Sequence, residues 1–179
     1  MSLLAEIAAL LRRHGAPFAV VGAAALAVHG VVRATGDLDL LALDVGFLED
    51  TAWRALRATG CDVDIRRGDP DDPFAGAVRV RRGEGEQVDV LLGRSAWQAG
   101  VLERAVPHPV AGARVPVVSP ADLVLLKLYA GGPQDAWDIL QLLAGDDAGA
   151  VAREVEQRLP TLPLECRALW ARIRAGGSA

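Results

Sequence analysis

The chain has 179 residues, 51% of them hydrophobic and 4% aromatic, with 19 Lys and Arg against 23 Asp and Glu for a net charge of −4. That length suits one domain with a small helical appendage, and the apolar content excludes a disordered chain. The negative balance argues against non-specific DNA binding, and the longest apolar run, residues 18–32, is too short to span a bilayer.

Residues 2–17, SLLAEIAALLRRHGAP, predict an amphipathic helix. Ser2 caps it, Leu3, Ile7, Leu10 and Leu11 share a face, and Gly15 then Pro17 stop it. FAVVG (18–22) reads as a short buried strand and AAALAVHG (23–30) as a small-residue helix. DLDLLAL (37–43) is the next strand, and LEDTAWRALRATG (48–60) is expected to be helical, ended by Gly60. Three strand-like runs follow, CDVDIRR (61–67), AGAVRVRR (75–82) and EQVDVLLG (86–93). The GEGE turn between the last two predicts an antiparallel hairpin. ARVPVVS (113–119) is a further strand or a strand-like lead-in.

From Ser119 the pattern turns helical. Ser119 caps SPADLVLLKLYA, with Pro120 in the first helical position and Asp122 completing an acidic capping box. Helices are also expected over 133–144, 146–159 and 164–176. Trp97, Trp137 and Trp170 sit in helical patterns and are expected in the core. The order is mixed α/β over 1–118 and all-α over 119–179, the latter expected to pack as a cap within one globular unit. Two cysteines, Cys61 and Cys166, make no disulfide framework, which suits a reducing cytoplasm.

The chemistry concentrates in DLDLLAL. Side chains at i and i+2 of a strand share a face, their Cα atoms ~6.5 Å apart, so Asp37 and Asp39 project together. Two such carboxylates repel unless a cation lies between them, and hard oxygen donors suit Mg²⁺. Asp89 has the same character, flanked by Val88, Val90 and Leu91. If its strand pairs beside DLDLLAL, the three carboxylates can hold two ions ~3.5–4 Å apart, an arrangement for in-line displacement at phosphorus.

Around these aspartates lies an ordered set. Upstream, Gly22 and Ala23 join a strand to a helix, which serves phosphate approach or simply close strand–helix packing. Arg33 can contact phosphate or pair with a carboxylate, and Thr35 shapes the turn. Downstream comes Lys127, the only lysine against 18 arginines, whose compact ammonium suits a triphosphate. Asp135 in the first turn of a helix is either part of the same set or ordinary dipole compensation. Arg79 and Arg81 share a strand face and, with Arg66, Arg67 and Arg82, are expected to be neutralised by Asp69, Asp71 and Asp72 of the neighbouring linker.

The order strand–Gly22, then Arg33-x-Thr35-x-Asp37-Leu38-Asp39, then Asp89, then Lys127 and Asp135 resembles the polymerase-beta-type nucleotidyltransferase superfamily. It looks most like the branch of AbiEii-like and MenT-like toxin nucleotidyltransferases, over about residues 18–143. The resemblance implies a minimal nucleotidyltransferase core, α/β (α+β), with a mixed twisted sheet flanked by helices and a C-terminal helical cap. It implies transfer of a nucleoside monophosphate from an NTP to an acceptor hydroxyl with two Mg²⁺ ions, Mn²⁺ serving as substitute. Asp37, Asp39 and Asp89 would be the metal ligands and catalytic acids, and Gly22, Ala23, Arg33, Thr35, Lys127 and Asp135 the nucleotide contacts. The acceptor would be tRNA, with an antitoxin protein as partner. The alternatives are a small-molecule acceptor of the antibiotic type, or an inactive binding or scaffold protein on the same fold. Two departures favour that last reading: Ala23 stands where relatives often have Ser or Gly, and AGGPQD, which ends at Asp135, lacks the basic residues that relatives carry before that aspartate.

Overall fold

In the computed structural model the chain divides into two compact units, Met1–Ala25 with Ala34–Val118, and Leu26–Arg33 with Ser119–Ala179. The structure describes residues 1–33 and 37–176.

The first unit is built on one seven-stranded sheet. Helix α1 (Leu3–Arg13) starts where the Ser2 side chain accepts from the Ala5 amide and buries Leu3, Leu4, Ile7, Leu10 and Leu11, the predicted stripe with Leu4 added. Strand β1 (Phe18–Val21) runs directly into α2 (Gly22–Val28), and β2 (Leu38–Ala42) follows. Strands β3 (Asp62–Arg67), β4 (Phe74–Arg82) and β5 (Glu86–Gly93) form an antiparallel meander, with the expected hairpin at Gly83–Gly85. The chain closes with α4 (Trp97–Glu103), β6 (Val106–Val110) and β7 (Ala113–Val117). Strand order is β3-β4-β5-β2-β1-β7-β6; β2–β5 and β1–β7 pair in parallel and the remaining pairs are antiparallel. This is the mixed sheet flanked by helices that the resemblance implies. One face carries Leu40, Val63, Val78, Val80, Val88 and Val90, all fully or almost fully buried. On that face alternation places an aliphatic residue wherever the sheet must exclude water.

Two expectations fail here. The helix expected over 48–60 is replaced by two 3₁₀ turns, Val45–Leu48 and Asp50–Trp53, and a short α3 (Arg54–Ala58). Glu49 between the turns is extended, at φ −94° and ψ 134°, which breaks the helical ladder. The buried Trp53 Nε1–H donates to the Phe47 carbonyl at 2.8 Å, a bond that fixes this folded-back path. Strand β6, with sequence VPHPV, was not expected at all. Pro107 and Pro109 read as strand breakers, but β6 is the terminal strand, where proline's missing N–H deprives no further neighbour.

The second unit is helical: α5 (Pro120–Ala130), α6 (Pro133–Leu142), α7 (Ala148–Arg158) and α8 (Leu164–Arg174). Helix α5 starts at Ser119, whose Oγ accepts from the Asp122 amide at 3.1 Å, and ends at Gly131 in the left-handed region. Every residue from Ala121 to Leu128 is buried, as befits the helix against which α6, α7 and α8 pack. Trp170 is buried as expected, but Trp137 is 50% exposed. The buried stripe of α6 is Ala136, Ile139 and Leu142, and position 137 lies off it, beside the equally exposed Leu140. Among the described residues no helix is long and apolar enough to cross a membrane.

Candidate functional site

The face of the sheet opposite the aliphatic layer carries charge. In the β2–β5 pairing Asp39 lies opposite Asp89, strand against strand in parallel register. Neighbouring strands run ~4.8 Å apart, so two carboxylates stand side by side on one face. Both are half-buried. Asp37 precedes β2 by one residue and is exposed. On the other side of Asp89 the row continues with Arg79 on β4 and Asp64 on β3, each opposite the next. Acid, acid, base, acid thus cross four strands in one line.

Gly22 shapes the end of that line. It has φ +62°, and a Cβ placed there would lie 2.1 Å from Oδ2 of Asp39. The glycine is therefore required twice, for its backbone conformation and for the room it leaves the carboxylate. The expected cost of Gly22→Ala is about 1–2 kcal/mol for the left-handed conformation alone. Thermal unfolding would register this as a drop of about 2–8 °C for a chain of this size. A melting temperature within about a degree of wild type would refute this account of Gly22. Ala23 is the second residue of α2 and half-buried. Thr35 lies outside the described residues.

Asp89 already has a cation. Arg79 grips it with a two-pronged contact, Nε to Oδ1 at 2.9 Å and Nη2 to Oδ2 at 2.7 Å. The hydrogen bonds and charge of Asp89, with smaller help from Asp37 and Asp64, hold the guanidinium pKa above the usual arginine range. Asp89 also lies 3.5 Å from the Gln87 side-chain amide. The expected neutralisation of the β3–β4 arginines by the 69–72 linker is replaced by contacts elsewhere. Arg79 pairs with Asp89, Arg81 with Asp62, Arg66 with Asp64, Arg67 with Glu49 and Arg82 with Glu6. The reason is register, which sets Arg81 opposite Asp62 and Arg79 between Asp64 and Asp89.

The carboxylates of this face are hard donors. Asp37 and Asp39 offer oxygen alone, the ligand chemistry of Mg²⁺ and Mn²⁺. Asp89 would complete a second ligand set, but both of its oxygens face Arg79. Among the described residues no group of three or more His, Cys, Asp and Glu stands at metal-binding spacing.

The second unit holds its own charged cluster. Lys127 is 9% exposed, its Nζ 2.9 Å from Oδ1 of Asp135 and also bonded to Oδ2 of Asp138. Arg33 donates to the same Asp138 oxygen at 2.8 Å and to Gln134 Oε1 at 2.8 Å. Asp135 accepts from the Gly132 amide at 2.8 Å, capping α6, so its helix-end role and its contact with Lys127 coexist. Asp138 is fully buried and its Oδ1 has no hydrogen-bond partner. Sequence reasoning missed this residue. The signal was its spacing, three residues after Asp135 on a helix, which puts both carboxylates on the side facing Lys127.

No family model matches the sequence, nor does any curated protein. Solved structures do match in fold. The antibiotic-resistance factor ANT(2″)-Ia, in complex with adenylyl-2″-tobramycin, aligns at 17% identity and TM-score 0.50 over 97% of this chain and 95% of its own. A Thermotoga maritima protein assigned as a nucleotidyltransferase aligns at 15% identity and TM-score 0.50, over 79% of this chain and 91% of its own. The likeness is one of fold: the chain adopts a nucleotidyltransferase-like architecture.

Proposed function

We propose that this protein is a metal-dependent nucleotidyltransferase that moves a nucleoside monophosphate from an NTP to an acceptor hydroxyl. The observation that carries this reading is the register of Asp39 with Asp89 on one sheet face, with Asp37 two residues before Asp39. Asp37 and Asp39 would hold the divalent ion, which when bound neutralises phosphate charge and polarises the α-phosphorus. The acceptor oxygen attacks the α-phosphorus, the bond to the bridging oxygen breaks, and pyrophosphate leaves. Asp89 takes the hydroxyl proton, since each carboxylate oxygen keeps a lone pair beside its contact with Arg79. Gly22 gives the Asp39 carboxylate its room. Motif order assigns Arg33, Lys127 and Asp135 as nucleotide contacts, and each is held in a defined position by Asp138, Gln134 or Gly132.

A small-molecule hydroxyl is the favoured acceptor. RNA binding draws on unpaired basic residues, whereas Arg66, Arg67, Arg79, Arg81 and Arg82 all have acidic partners. ANT(2″)-Ia, which shares the fold, was solved with adenylyl-2″-tobramycin. The test is incubation with Mg²⁺ or Mn²⁺ and each α-phosphate-labelled NTP, against hydroxyl-bearing antibiotics including tobramycin and, separately, total RNA. Label on a small molecule supports the reading. Label on RNA restores the toxin-type assignment, and neither binding nor transfer with any NTP makes the protein a scaffold.

A further inference from the structure

We infer that the cavity next to Asp89 seats the body of the acceptor, and that the acceptor is a hydroxyl compound whose body is apolar, uncharged and about the size of one ring. This rests on the function proposed above and names the class of substrate that its transfer would use.

The cavity measures about 260 Å³, and its floor is Ala77 and Leu91, which pair across β4 and β5. Leu91 lies two residues after Asp89 and Ala77 two before Arg79, so all four side chains share one face of the sheet. The floor is thus ~6.5 Å along the strands from the Asp89–Arg79 pair. Pro73 and Phe74 add further apolar lining where the chain enters β4. All four lining residues are half-buried, apolar surface that a bound body would take out of water. Small-molecule sites begin at about 300 Å³, so the cavity suits one ring and not a chain of aminosugars.

Charge narrows the class further. The charged lining residues are Arg66, Arg67 and Asp72, two guanidiniums against one carboxylate. Asp72 is engaged, its Oδ2 accepting from the Asp69 amide at 2.7 Å. A cationic body would therefore meet like charge. Arg66 and Arg67 are themselves paired with Asp64 and Glu49, so an anionic body gains little from them. An uncharged ring on Ala77 and Leu91, with its hydroxyl on a short arm, brings that oxygen to Asp89. The oxygen bonds to the α-phosphorus, its proton passes to Asp89 and pyrophosphate leaves.

The experiment titrates full-length wild type and Ala77→Phe with phenethyl alcohol, an uncharged aromatic alcohol, and with tobramycin, a polycation, following each ligand by nuclear magnetic resonance. Both compounds are then offered as acceptors to wild type with Mg²⁺ and each α-phosphate-labelled NTP. Wild type is expected to bind phenethyl alcohol and to label it at least about tenfold more efficiently than tobramycin. Ala77→Phe fills the floor and is expected to weaken binding of the alcohol at least about tenfold. Tobramycin as the better acceptor, no binding of the alcohol, or equal binding by the two proteins would each overturn the inference. NTP cleaved or transferred without label on the alcohol overturns it and leaves the proposed function standing. No reaction of any NTP overturns that function and the acceptor assignment with it. Should circular dichroism show Ala77→Phe unfolded, Phe74→Ala, which removes apolar lining, takes its place with the same expectation.

Discussion

Asp39→Asn is expected to lower nucleotidyl transfer by at least about a thousandfold while leaving the fold intact. Asparagine has the shape of aspartate, so the contact with Gly22, where the carboxylate fills the space a Cβ would take, is preserved. What changes is charge: a hard divalent ion loses an anionic ligand and gains a neutral one. Metal stabilisation of a phosphoryl transition state is worth several kcal/mol, and about 4 kcal/mol corresponds to a factor of ~10³ in rate. Steady-state transfer of label and Mn²⁺ binding should fall together, with an unchanged circular dichroism spectrum. Transfer within about tenfold of wild type would mean that Asp39 ligates no essential ion, and the assignment of the acidic face would fail.

Asp138→Ala is expected to be the most destabilising single change in the helical unit. Asp138 is fully buried, and both Lys127 and Arg33 donate to one of its oxygens. Removing one partner of a buried ion pair costs about 3–5 kcal/mol, because the surviving charges keep their desolvation penalty. Asp135 and Gln134 would retain a hold on Lys127 and Arg33, so the lower half of that range is expected. Thermal denaturation should show a fall on the order of 10 °C. Asp138→Asn keeps the volume and should lose less. Equal loss in both would assign the whole effect to the missing charge, since asparagine keeps the packing.

Much of this is legible in the sequence. The run DLDLLAL is legible as the strand that carries Asp39, and Ser2, Ser119 and Pro120 mark helix starts that the structure keeps. Arg79 was legible in principle. A turn centred on Glu84 pairs Arg82 with Glu86, and three residues further along each strand the same register brings Arg79 to Asp89. What hid it was composition, because Arg79 lies among four other arginines and an acidic linker that together look self-sufficient. The parallel seating of β5 beside β2 was not legible, since it depends on strand order across a long connection. Nor was β6, where two prolines argue locally against a strand that its terminal place in the sheet permits. Asp138 escaped notice because its importance comes from Arg33, more than a hundred residues earlier in the chain.

The prolines of β6 bear on solution behaviour. An end strand normally offers a row of amide donors that another chain can use to extend the sheet. Pro107 and Pro109 remove two of those donors from a five-residue strand. At the other extremity β3 presents Asp62, Arg66 and Arg67, ionic groups that an incoming strand would have to desolvate. Both margins of the sheet are thereby guarded against growth by addition of a further strand, and the protein should resist fibrillar association even when concentrated.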